Sequence, residues 1–135
     1  MSKSIIYIEG IGQSYARSLK SIGIHTTENL LHMGATKDGR SQISNRTSIS
    51  EKKILKWVNM CDLFRIKGIA GQFAELLESS GVNTINELRF RDPGNLAEKM
   101  KQINSSRKLC KVSPSLKSVT SWIEQANSLT STVKY

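Results

Sequence analysis

The sequence predicts an all-α domain made from two copies of one helical unit. Three observations lead there. Residues 8–30, IEGIGQSYARSLKSIGIHTTENL, recur as residues 66–88, IKGIAGQFAELLESSGVNTINEL, with nine of 23 positions identical at a fixed offset of 58. Apolar residues recur at helical spacing through most of the chain. No stretch alternates at period two for long enough to make a strand, and IIYI at 5–8 is the only ambiguous run.

The repeat continues beyond a seven-residue insertion. SEKKILKWVN at 50–59 matches SLKSVTSWIE at 115–124 at offset 65, which pairs Trp57 with Trp122. The chain therefore reads as one domain with two repeat units, about 4–63 and 64–128, packed by pseudo-two-fold symmetry. Residues 129–135 read as a flexible tail.

Each element follows from local signals. Gln13–Ser21 reads as a helix with Tyr15, Ala16 and Leu19 on one face, ended by Gly23, which tolerates positive φ. Thr26 or Thr27 caps a helix carrying Leu30, Leu31 and Met33. Gly34 and Gly39 bracket a polar turn, with a short helix at 40–45. Ser48 and Glu51 have capping-box spacing and open a helix with Ile54, Trp57, Val58 and Cys61 on one face. In the second copy, 72–80 mirrors 13–21. Asp92-Pro93 starts a helix running to about Asn104, with Pro93 at its first position. Ser113-Pro114 starts the last helix, with Val119, Trp122, Ile123 and Ala126 inward.

Composition narrows the function classes. Ile, Leu, Val and Phe make up about a quarter of the chain, above the disordered range. No run of 18 apolar residues is present, so no membrane span is expected. The N-terminal MSKSIIYIEG lacks the features of a secretory signal. Cys61 and Cys110 are not spaced as CxxC and read as reduced, buried thiols of a cytoplasmic protein. With His25 and His32 they form no zinc spacing, so neither metal nor cofactor is expected. The net charge of +9 favours an anionic partner. It is unevenly placed: residues 1–36 carry net +1, 37–67 net +5, 68–97 net −2 and 98–135 net +5.

The motif with chemical content is Ile5-x-x-Ile8-x-Gly10-Ile11-Gly12-x-x-x-Ala16-x-x-Leu19, an apolar–Gly–apolar–Gly pattern of the helix–hairpin–helix type. Leu63-x-x-Ile66-x-Gly68-Ile69-Ala70-x-x-x-Ala74-x-x-Leu77 is a second. The glycines permit a tight turn and a close approach to a phosphate. The isoleucine between them plugs the gap between two helices, and Ala16 and Ala74 let those helices pack closely. The second helix then offers free N–H groups and a positive dipole end to a phosphate oxygen.

With ILKWVN, the DLFRIKGIAGQFAELLESSGVNT block, DPGNLAEKM and VSPS, the whole chain resembles an uncharacterised domain-of-unknown-function family of tandem helix–hairpin–helix proteins. The resemblance covers about 4–128. It implies the fold and, by analogy with such modules in DNA repair proteins, nucleic-acid binding. On that resemblance the first hairpin holds phosphate through the amides of Gly10, Gly12, Gln13 and Ser14 around Ile11, with Arg17 nearby. The second hairpin, Gly68, Ile69, Ala70 and Gly71, departs from the pattern: Ala70 replaces a glycine, and Glu75 and Glu78 stand where the first copy has Arg17 and Lys20. Phosphate binding there needs help from Arg65 and Lys67.

Two basic sets complete the candidate interface. Lys52, Lys53 and Lys56 share a helix face, which reads equally as an ordinary solvated surface. Arg107, Lys108 and Lys111, with Lys99 and Lys101, form a denser cluster. No Ser-His-Asp or Cys-His arrangement, Walker loop or HExxH is present, so no catalysis is expected. The leading expectation is a non-catalytic DNA-binding protein that contacts the phosphate backbone without sequence preference. The alternatives are a protein-interaction or scaffolding module, which would use the acidic 75–92 surface or an apolar groove, and a structured-RNA binder.

Overall fold

The computed structural model describes residues 3–130 and 132–135. Among them the secondary structure is helical, with no named strand. A 3-10 turn at Ile5–Tyr7 precedes α1 (Gly12–Ser21), α2 (Thr27–Met33), α3 (Lys37–Thr47), α4 (Glu51–Leu63), α5 (Gly71–Ser79), α6 (Ile85–Arg89), α7 (Pro93–Arg107) and α8 (Leu116–Ser128). The chain divides into two compact units, Met1–Asp62 with Thr132–Tyr135, and Leu63–Ser131.

In unit 1 the ambiguous IIYI run is a 3-10 turn capped by the Ser4 hydroxyl. It is tied to the start of α2 by an isolated bridge between Ser4 and Thr26, and the Ile5 N–H donates to the His25 carbonyl at 3.1 Å. Thr26 caps α2 in a reciprocal box with Asn29. The inward faces of α1 and α4 match their sequence patterns: Ala16, Leu19, Ile54, Trp57, Val58 and Cys61 are all buried. Gly34 ends α2, but Gly39 lies inside α3, which is longer than expected. There a Cβ would stand 2.1 Å from the Met33 carbonyl oxygen. Gly39 therefore marks a close approach of two backbones rather than a turn.

The cap of α4 lies two residues beyond the expected one. Ser50 Oγ accepts from the Lys53 N–H at 3.2 Å. Ser48 instead ends α3 in the left-handed region, at φ 63°. Two serines two residues apart offered the same chemistry, and the left-handed stop of α3 assigned them.

Residues at the C-terminus return to unit 1 in place of the expected flexible tail. Val133 is buried, the Lys134 N–H donates to the Ala35 carbonyl at 2.7 Å, and the Tyr135 hydroxyl donates to Asn59 Oδ1 at 2.6 Å. The reason is the buried guanidinium of Arg40. It donates to the carbonyls of Gly34, Ala35 and Lys134 at 2.9, 3.2 and 2.7 Å. A buried charge needs such partners, and the returning C-terminal segment supplies one of them.

In unit 2, α6 and α7 pack on α8 and α5 packs on α7. Thr84 caps α6 in a reciprocal box with Glu87, at the repeat position of Thr26. Asp92 caps α7 with Pro93 in its first turn, and α7 runs on to Arg107. Ser115, not Ser113, caps α8 by accepting from the Ser118 N–H. Val119, Trp122, Ile123 and Ala126 face inward as their spacing predicts.

Candidate nucleic-acid interface

Two glycine turns stand at the starts of α1 and α5. In the first, the Ile8 N–H closes the 3-10 turn on Ile5, and the Ile11 N–H donates to the Ile8 carbonyl at 3.3 Å. Gly10 takes φ +91° and Gly12 φ +63°, a region that disfavours other side chains. Ile11 between them is buried, while Gly12, Gln13 and Ser14 are exposed. No side chain caps α1, and its first turn carries no acidic residue. The first N–H groups of a helix have no partner within the helix, so this end presents donors and positive dipole to solvent. Arg17 lies exposed one turn further along.

Helix α4 backs this turn. The Trp57 ring sits 5.2 Å from the Tyr15 ring, inclined at 60°, and a Cβ on Gly10 would lie 3.9 Å from Trp57 Nε1. Packing through Trp57 and Tyr15 carries the outer face of α4 with it. Lys53 Nζ comes 6.0 Å from the centre of the Tyr15 ring, on the first turn of α1. Lys52, Lys53 and Lys56 are all exposed.

The second turn repeats the first glycine, and its backbone departs at the next aligned position, where Ala70 is extended and Gly12 is left-handed. Gly68 takes φ +98° and Ile69 is buried. Helix α8 stands behind it through Trp122, whose ring is 5.4 Å from Phe73. At the positions matching Lys52, Lys53 and Lys56, however, α8 carries Lys117, Ser118 and Ser121. Ala70 is the extended residue before α5, and Gly71, its first residue, is buried. Glu75 and Glu78 are half-buried on α5. A side-chain latch also closes this turn: Gln125 Oε1 accepts from the Lys67 N–H at 2.8 Å and Nε2 donates to the Lys67 carbonyl at 3.1 Å. The Arg65 guanidinium donates to the Thr130 carbonyl.

The remaining basic residues belong to unit 2. Arg107, at the end of α7, donates to Ser79 Oγ at 2.8 Å. Lys108 closes α7 in the left-handed region at φ 53°. Lys101, Lys108 and Lys111 line an open groove of about 590 Å³ beside Gln72, in the first turn of α5. Asn104 holds the loop that bears them. Its side chain donates to the Cys110 carbonyl and Ser113 Oγ, and accepts from the Cys110 N–H at 2.8 Å. Sequence reasoning missed Asn104, Gln125 and Gln72. Only the amide at 104, in line with the buried Leu96 and Met100 of α7, carried a hint.

Both cysteines are free and buried. Burial pushes the Cys61 thiol far up, with Asp62 adding to the shift. Burial, then Glu75, pushes Cys110 the same way. Such thiols stay neutral and inert near pH 7.

A family model covers residues 9–129 of the chain. The chain belongs to the family described as domain of unknown function DUF4332. The match spans both glycine turns and runs through the last residue of α8 to Leu129. No curated protein and no solved structure matches the chain. Among the described residues no helix is long and apolar enough to cross a membrane.

Proposed function

We propose that this DUF4332 protein is a non-catalytic, non-sequence-specific DNA-binding protein that grips the phosphate backbone by a helix–hairpin–helix in unit 1. One observation carries the reading: an exposed, uncapped helix start behind two positive-φ glycines, with Lys53 of α4 beside the same turn. Backbone amides of Gly12, Gln13 and Ser14 would meet one phosphate, and Arg17, Lys52, Lys53 and Lys56 its neighbours. Phosphate contacts position a protein without reading bases, so sequence preference would be small. The second turn is the weaker candidate, because Gly71 is buried, two carboxylates replace two cations and the Lys67 amide is taken by Gln125.

The test is fluorescence anisotropy with duplex, single-stranded and branched DNA and with structured RNA, at two salt concentrations. Duplex should bind, and log affinity should fall by about 0.9 per decade of salt for each phosphate neutralised. Gly12→Val should abolish most binding: no atom lies within 4 Å of the added Cβ, so the effect comes from φ +63°, which a β-branched residue rarely adopts and which the turn would have to abandon. Gly12→Asn, which tolerates left-handed φ, serves as the folded control with a Cβ. Failure of duplex to bind at low salt, or unchanged binding by a folded Gly12→Val protein, ends the proposal. Tighter binding of structured RNA than of duplex would transfer it to RNA.

A further inference from the structure

We infer that unit 2 carries a docking groove for an acidic peptide segment bearing large apolar side chains. The groove at Lys101, Lys108 and Lys111 is not isolated. A second groove of about 470 Å³, lined by Ala97, Val112, Pro114 and Leu116, shares Lys101 and Ser113 with it as walls. Together they make one surface, basic at one end and apolar at the other. Val112 is 75 % exposed and Leu116 56 % exposed. Adjacent large aliphatics left in water mark an interaction site more often than scattered ones do.

The chemistry selects the occupant. A phosphate backbone gains nothing from Val112 and Leu116. No aromatic side chain lines either groove, so bases have no platform to stack on. Among the lining residues three lysines stand against one carboxylate, Glu98, and with Glu75, which acts on Cys110, counted as well the balance is still positive, which repels a basic segment and attracts an acidic one. Both grooves are open rather than enclosed, which suits an extended or helical segment more than a small molecule. The wall between them is fixed in advance. Asn104 bonds Cys110 and Ser113 from beneath, and the Lys108 N–H donates to the Asn104 carbonyl at 2.8 Å. A preorganised loop lowers the ordering cost of binding. Nothing here depends on DNA binding by unit 1.

The test pans the full chain against a phage-displayed library of random peptides. Enriched peptides should be net negative and should carry several large apolar residues. A synthetic winner should bind Leu116→Ser and Val112→Ser about tenfold or more weakly, as expected for an apolar side chain lost from a contact. Lys108→Gln with Lys111→Gln should weaken binding and flatten its salt dependence. Gly12→Val should bind the winner as wild type does. All four side chains are exposed, so melting temperatures should not move. The inference is overturned if nothing enriches, if enriched peptides are neutral or basic, or if Leu116→Ser binds a winner unchanged. It is also overturned if duplex DNA displaces the winner and itself loses affinity in the double lysine variant, because the groove is then a nucleic-acid site.

Discussion

The two glycine turns share a positive-φ glycine and a buried isoleucine, then part: Gly12 is left-handed where its counterpart Ala70 is extended, and different side chains stand beside them. In both, a positive-φ glycine precedes a buried isoleucine, and a tryptophan from a later helix backs the turn against an aromatic ring. Around the first turn the periphery is cationic and its helix start is open. Around the second, two of the three matching lysines of the backing helix have become serines, two carboxylates line α5 and Gln125 occupies the turn's own amide and carbonyl. The pair teaches that one scaffold carries two surfaces. The core positions make the turn, and the positions one residue away decide whether it faces an anion or is closed on itself.

The sharpest check on the shared part is its tryptophans. Trp57→Ala and Trp122→Ala should each cost roughly 3–5 kcal/mol, the usual range for a large aromatic removed from a packed site. Urea unfolding reads both. The comparison breaks if one of them melts like wild type.

A difference between the turns appears at their first glycines. Gly10→Ala meets only the conformational cost of positive φ, roughly 1–2 kcal/mol, since its Cβ would have Trp57 Nε1 at 3.9 Å. At Gly68 the same atom would sit 2.8 Å from Trp122 Nε1. Gly68→Ala should therefore cost about 1 kcal/mol or more beyond Gly10→Ala, from forced repacking of the indole. Equal losses in the two variants would show that the tighter packing of the second turn has no energetic weight.

These positions explain what was readable in the chain. The glycines, the isoleucines beside them and the tryptophans obey local spacing, so the helical class, the inward faces and the positions of the two turns could be read directly. Caps were readable to within two residues: Ser50 was chosen over Ser48, and Ser115 over Ser113, by how the preceding segment ended. Non-local partners were not readable. Nothing near Arg40 in sequence announces that the Lys134 carbonyl will accept a hydrogen bond from it, and nothing near Lys67 points to Gln125, 58 residues away. The candidate site was legible as a list of glycines and cations. Its geometry was not, because the approach of Lys53 to Tyr15 depends on how α4 packs.

The latch itself gives a smaller effect. Gln125→Ala removes the two exposed hydrogen bonds to Lys67 and a third to Ser121 Oγ, and should cost about 1 kcal/mol. Hydrogen exchange is the more telling readout. The Lys67 amide should exchange faster in the variant, while the Glu9 amide at the matching position of the first turn should not change. Unaltered exchange at Lys67 would mean that the latch does not hold the turn.

The smallest expected effect separates the two peripheries one charge at a time. Lys53→Gln removes the α4 cation that stands over Tyr15 at the first turn, and Lys117→Gln removes the one cation on the corresponding face of α8. Both side chains are exposed, so each change should shift stability by less than about 0.5 kcal/mol. Their effects on duplex binding should differ. If Lys53 neutralises one phosphate, its loss should reduce the salt slope by about 0.9. Lys117 stands beside serines and behind a latched turn, so its loss should leave the slope where it was. The difference is read from anisotropy titrations across a salt series, and its sign is decisive. A slope that falls for Lys117→Gln and not for Lys53→Gln would place the anion at the second turn, against the polarity that the carboxylates and Gln125 impose there. A slope that falls equally for both would mean a diffuse attraction set by net charge, with no role for either turn.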